Sequence, residues 1–192
     1  MYELILQNIS KHIQFTEEET SFFISMLKKR KLRKRQFLVQ KGDICKHETF
    51  VIKGCLRAIY TTPNAQEYMT QFAMEDWWIN DFESFLTGKP ATLDIEALED
   101  CTLLQIDYPS LQLIYERIPK FERFSRLMLE KSYLSLYKRM VSSMSKPAEE
   151  RYQDFLKQYP NLHHRIPQYH IAAYLGITPE FLSKIRKKLA KQ

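Results

Sequence analysis

A run of 26 residues, from Lys120 to Ser145, contains neither glycine nor proline, and prolines at 119 and 147 stand just outside it. As a single α-helix it spans ~39 Å, longer than a small domain needs for its own core. Phe121, Phe124, Met128, Tyr133, Leu136, Tyr137, Met140 and Met144 recur at threes and fours, so one face is apolar over much of the length. Pro119 suits the first turn of a new helix and Pro147 ends it. The stripe fits either a core helix packed on the preceding domain or the seam of a two-fold dimer, and the length favours the seam. The run therefore divides the chain into residues 1–118, a dimerisation helix over 119–146, and a final segment over 147–192.

Ahead of the long helix the periodicity is mixed. Leu4, Ile5, Ile9 and Ile13 form a short helical stripe, and Thr16 followed by Glu19 is a capping box for a second helix through Phe22, Phe23, Met26 and Leu27. Seven of the eight residues from Lys28 to Arg35 are Lys or Arg. Such a run is more often a solvated face than a phosphate contact. From Gln36 to Asp107 the pattern turns to short β-type runs: Phe37–Val39, Phe50–Ile52, Leu56–Tyr60, Tyr68–Phe72, Leu93–Leu98 and Leu103–Ile106. Three of the four glycines fall here, each at a strand break. Many short strands between regular turns predict a jelly roll, giving an α+β chain overall.

The segment after Pro147 predicts three helices: Ala148–Gln158, Gln168–Tyr174, and one opening at Thr178. The last two have helix-turn-helix grammar. Ile171–Leu175 supplies an apolar face with the small Ala172 at the close approach, Gly176 relieves the turn, and Ile177 plugs it. Thr178 is an N-cap, Pro179 suits the first helical position, and Glu180 complements the positive end of the dipole. Leu182, Ile185 and Leu189 form the inward stripe. Glu180, Phe181, Ser183, Lys184, Lys187 and Lys188 face the other way, with Arg186 beside them. Five Lys or Arg stand against one acid from Thr178 to Gln192, a local excess within a chain of net charge +6. Because the narrow apolar stripe is claimed by the preceding helix, DNA is a better partner than a membrane surface. Glu180, Phe181, Ser183 and Lys184 are placed to meet base edges; Thr178, Lys187 and Lys188 are placed to hold phosphates.

These residues together resemble the Crp/Fnr regulators, which join a cyclic-nucleotide-type β-roll to a helix-turn-helix through a long dimer helix. The pieces that carry the resemblance are Gly42-Asp43, Val51-Ile52-Lys53-Gly54, Ile106-Asp107 leading into a helix, and Leu175-Gly176-Ile177-Thr178-Pro179-Glu180. The resemblance implies that Glu180, Ser183 and Lys184 read bases. Pro179 replaces an arginine often found there, so the family's usual operator does not carry over. The sequence stops at Gln192, where members commonly continue into a β-wing. The resemblance also places an effector pocket at Asn80, Asp81, Ala91 and Thr92, standing for the Gly-Glu and Arg-Ser pairs of members that bind cyclic AMP. Asp81 keeps an acceptor and Thr92 a hydroxyl, but the cation that holds the cyclic phosphate is missing. Residues 75–100 carry eight acids and one Lys, Lys89. A phosphodiester leaving water needs positive charge, so cyclic AMP is not the expected effector, and the cofactor, if one exists, is not identified by the sequence.

Other functions are disfavoured on residue grounds. Cys45, Cys55 and Cys101 are scattered and form no cluster for an iron–sulfur centre; they read as reduced thiols of a cytoplasmic protein. His47 is the only histidine of the β-region, which defeats a two-histidine oxygenase site. His163-His164 beside Arg165 fit a solvated loop better than a zinc site. No nucleophile-elbow, HExxH or Walker-type motif is present, so no enzyme is expected. No apolar run approaches the ~20 residues needed to span a bilayer. Trp77-Trp78 are either core or a stacking surface for an aromatic effector. The expected function is a dimeric, DNA-binding transcription regulator. The rival is a dimeric small-molecule-binding module with weakened or lost DNA binding, suggested by Pro179 and the absent wing.

Overall fold

The computed structural model describes residues 1–190. It separates into two compact units: one formed by residues 1–60 and 71–130, the other by residues 61–70 and the chain from Lys131 onward. The division falls within the long helix, whereas the sequence boundaries flank it.

In the first unit, α1 (Glu3–Ser10) and α2 (Glu17–Ser25) precede the β-roll. The capping box that opens α2 is complete: the Glu19 amide donates to Thr16 Oγ1 at 3.1 Å, and the Thr16 amide donates to Glu19 Oε2 at 2.7 Å. Eight strands follow: β1 (Lys28–Leu32), β2 (Phe37–Val39), β3 (His47–Lys53), β4 (Leu56–Thr61), β5 (Glu67–Ala73), β6 (Trp78–Ile79), β7 (Leu93–Ala97) and β8 (Cys101–Asp107). They make two four-stranded sheets, ordered β1-β8-β3-β6 and β2-β7-β4-β5. Phe50, Val51, Leu103 and Leu104 from one sheet and Leu56, Ala58 and Ile95 from the other are buried in a common core. The expected jelly-roll arrangement is present, with α3 (Phe82–Thr87) inserted before β7 and α4 (Tyr108–Arg117) after β8.

The sheet begins earlier than the hydropathy pattern indicates. The basic run forms β1, paired antiparallel with β8 from Lys28 opposite Gln105 to Leu32 opposite Cys101. Only Leu32 is buried there, so no alternation betrays the strand. Charged side chains suit a sheet edge because they oppose pairing with another chain. Lys28 Nζ lies 2.6 Å from Asp107 Oδ2. That ammonium, with the Ser110 donors, holds the Asp107 carboxyl below its ordinary range. Asp107 also caps α4, accepting from the Ser110 amide at 2.9 Å. The strand β6 and the helix α3 were likewise not anticipated, since each is too short to establish a period.

The long helix, α5 (Lys120–Ser145), has the bounds read from the sequence. Its apolar face divides in two. Phe121 and Phe124 are buried in the core of the first unit, where the Phe121 ring lies tilted against Phe23 with centroids 5.4 Å apart. Farther along, Leu129, Tyr133, Leu136, Tyr137, Met140 and Met144 are exposed, Tyr133 to 66% and Met144 to 81%. No helix among the described residues is long and apolar enough to cross a membrane.

Two glycines separate steric need from backbone strain. Gly54 (φ +102°) admits no Cβ: one built there would lie 2.6 Å from Cys101 Sγ and 2.8 Å from the Asp100 carbonyl. Gly42 has nearly the same φ (+95°) but open space around it. Gly42→Ala should cost about 1–2 kcal/mol for the left-handed backbone alone, and Gly54→Ala clearly more because a tight turn must also shift. Equal losses in urea denaturation would refute the steric account.

Candidate nucleic-acid interface

The second unit contains α6 (Ala148–Gln158), α7 (Leu162–Arg165), α8 (Gln168–Leu175) and α9 (Pro179–Leu189). The single-turn α7 was not expected; it is too short to show a period. The core joins Tyr152, Phe155, Tyr159 and Leu162 with Ile171, Ala172, Leu175, Leu182 and Ile185, all buried. Phe155, Tyr159 and Tyr174 meet with ring centroids 5.1 to 5.6 Å apart.

The turn between α8 and α9 follows from its residues. Gly176 takes the left-handed conformation at φ +66°, which glycine adopts without steric cost. The Ile177 amide returns to the Ala172 carbonyl at 3.1 Å, closing the end of α8. Thr178 then caps α9, its Oγ1 accepting from the Phe181 amide at 3.2 Å. Helical geometry turns 100° per residue, so burying Leu182 and Ile185 decides the opposite face. Glu180, Phe181, Ser183, Lys184, Arg186, Lys187 and Lys188 are all exposed, Phe181 to 48%. The Glu180 carboxyl lies below its ordinary range because its own backbone amide and Thr178 hydrogen-bond to it.

Lys188 departs from a free phosphate-contacting role: its Nζ lies 2.7 Å from Glu149 Oε2 on α6. That pairing was invisible in the sequence because the two residues are far apart along the chain. Lys191, counted in the basic excess, lies outside the described residues. His163 and His164 lie ring against ring at 3.9 Å, with burial lowering the pKa of His163.

In the first unit, Asp81, Ala91 and Thr92 come together and Asn80 turns away. Asp81 is 2% exposed. Its Oδ1 accepts from the Ser84 amide at 3.0 Å, capping α3, and its Oδ2 accepts from the amides of Thr92 at 2.9 Å and Leu93 at 3.0 Å. The Thr92 hydroxyl approaches the same oxygen at 3.4 Å. Ala91 is buried and exchanges backbone hydrogen bonds with the Gly42-Asp43 turn. The acceptor expected for a ribose hydroxyl is thus occupied by the chain's own donors. Asn80 instead donates to Glu48 on β3. Trp77 and Trp78 pack against the core, with Trp78 5.0 Å from Phe50 and its indole N–H donating to Asn8 at 3.2 Å.

Residues 29–117 match the cyclic nucleotide-binding domain. Solved structures share the fold over most of the chain. FixK2 from Bradyrhizobium japonicum is 18% identical with a TM-score of 0.76, the alignment covering 86% of this chain and 85% of that one. The c-di-GMP responsive global regulator CLP from Xanthomonas campestris is 17% identical with a TM-score of 0.71, covering 92% of each. A CooA mutant from Carboxydothermus hydrogenoformans is 18% identical with a TM-score of 0.69, covering 97% of this chain and 84% of that one. A comparison with curated protein sequences finds no match.

The β-roll also contains an ionisable group that its sequence does not single out. Glu48 retains some accessible surface as a residue, but burial of its carboxyl pushes the pKa from 4.5 to about 7. The folded state therefore keeps a proton that the unfolded chain releases near its ordinary value. The associated stability is fully present below pH 4.5 and is lost as pH rises through about 7. Glu48→Gln, which cannot ionise, should raise stability relative to the parent at pH 8 and give no such gain at pH 4.5. Denaturant titrations at the two pH values check this, and a gain of equal size at both would contradict it.

Proposed function

We propose that the chain is a dimeric, sequence-specific DNA-binding transcription regulator whose β-roll does not respond to cyclic AMP. The observation that carries this reading is the outward face of α9. Its base-reading candidates Glu180, Ser183 and Lys184 are exposed while Leu182 and Ile185 are buried. A major groove about 12 Å wide admits such a helix. Glu180 accepts from a cytosine amino group, Lys184 donates to guanine O6 or N7, Ser183 adapts to either, and Phe181 meets a thymine methyl. Thr178 and Lys187 hold phosphates; Lys188, shared with Glu149, is the weakest of the phosphate contacts.

The dimer is supported by the exposed apolar residues of α5 from Leu129 to Met144. Self-complementary packing on a two-fold axis removes such a surface from water and duplicates α9 for two half-sites. Against cyclic AMP stand the neutral Ala91 where a cation is needed and the Asp81 carboxyl already satisfied by backbone amides. Any effector of this domain is then a molecule other than cyclic AMP. The structural neighbours include the global regulator CLP and a Thermus thermophilus catabolite activator protein; they support the class of function, not a ligand.

Selection of bound fragments from random DNA should return a two-fold symmetric site. If two subunits neutralise ~8 phosphates, log K should fall against log salt with a slope of about −7. Lys184→Ala should cost about 1–3 kcal/mol on that site and relax discrimination at one base per half-site. A flat salt response would favour a ligand-binding module without a DNA function. Micromolar cyclic AMP binding by calorimetry would overturn the effector reading.

A further inference from the structure

The turn of the helix-turn-helix is held by two arginines that neither the motif nor the charge count singles out. Arg151 of α6 donates Nη1 to the Leu175 carbonyl at 2.6 Å. Arg139 of α5 donates Nη2 to the Tyr174 carbonyl at 3.1 Å, and its guanidinium lies 3.9 Å from the Tyr174 ring centroid. Tyr174 and Leu175 are the last residues of α8 before Gly176. The final carbonyls of a helix lack intrahelical donors and carry the negative end of its dipole, so both cations are well placed.

Arg139 alone reaches a second segment. Its Nη2 also donates to the Met69 carbonyl at 2.6 Å, and its Nη1 donates to the Thr70 carbonyl. These carbonyls belong to β5, at the base of the hairpin tip formed by residues 61–70. The tip closes on itself through the Thr62 amide to the Gln66 carbonyl, 3.0 Å, and the Ala65 amide to the Thr62 carbonyl, 3.0 Å. Tip, Arg139 and α8 lie in the same compact unit. One rigid fork therefore ties three backbone carbonyls from two segments far apart in sequence. A lysine ammonium, a point charge without the planar fork, does not reproduce that geometry.

We propose that Arg139 is a positioning residue that couples the β4–β5 hairpin to the recognition helix. Withdrawal of the Met69 and Thr70 carbonyls leaves part-buried N–H groups without acceptors, which favours release of the guanidinium from the end of α8. The turn that sets α9 loosens with it. Linkage makes the coupling reciprocal: DNA that fixes α9 must also order the hairpin. The DNA consequence rests on α9 reading DNA, but the coupling itself is measurable on the free protein.

Hydrogen exchange on the full chain separates the two arginines. Arg139→Met should accelerate exchange in both 61–70 and 171–178, whereas Arg151→Met should accelerate it in 171–178 alone. An unchanged hairpin in Arg139→Met, or a hairpin opened equally by Arg151→Met, overturns the proposal. If Arg139→Met loses the global fold, Arg139→Lys, which keeps the charge and loses the fork, carries the same comparison. On a DNA site selected with the parent protein, Arg139→Met should weaken binding about tenfold with the salt slope unchanged, since no phosphate contact is removed. A shallower slope would make Arg139 a phosphate ligand and overturn its positioning role. A parent that binds no DNA would refute the function proposed above, while the exchange comparison would still decide the coupling.

Discussion

The burial of Leu182 and Ile185 against the core of the second unit is the constraint on which the account depends. A helix of 11 residues has one orientation about its axis once those two side chains are fixed. The outward positions of Glu180, Ser183 and Lys184 follow from it, while Thr178 caps the leading end and basic residues occupy the last turn. The apolar residues determine which polar residues are presented, and the capped N-terminus determines which of them lead. The interface owes as much to Ala172, Leu175 and Ile177 as to the charged residues that would touch a ligand.

The β-roll shows a different economy of polar groups. Asp81 is a buried carboxylate that receives three backbone amides and a hydroxyl. Glu48 has the Asn80 amide as its partner, and burial makes its carboxyl hard to ionise. The two acids thus differ in their partners: Asp81 is met by amides of a strand and a helix N-terminus, Glu48 by a side-chain amide. The amides of Thr92 and Leu93 are taken up by the chain's own carboxylate.

Legibility of the structure in the sequence tracked the length of each periodic segment. The bounds of α5 and α6 and the Thr16–Glu19 capping box could be read directly, as could most of the strands with apolar alternation. The basic β1 was hidden because an edge strand with one buried residue has no alternation to detect. The short β6, α3 and α7 offered fewer residues than one reliable period. Within the candidate interface, the outward and inward faces of α9 were legible from spacing. The ion pair of Lys188 with Glu149 and the carbonyl contacts of Arg139 and Arg151 were not, since each is created by tertiary folding. Backbone carbonyls in particular leave no trace in a sequence, which is why the cations that hold the turn escaped a reading based on side-chain types.

The most direct test of the outward face is proximity cleavage from the middle of α9. Ser183→Cys carrying an iron chelate is suited to this because the native thiols Cys45, Cys55 and Cys101 are buried and resist labelling. The account predicts cleavage of a selected DNA fragment at a pair of two-fold-related positions, one within each half-site. Uniform cleavage, or cuts only outside the protected region, would contradict it, because residue 183 would then not be facing the bases.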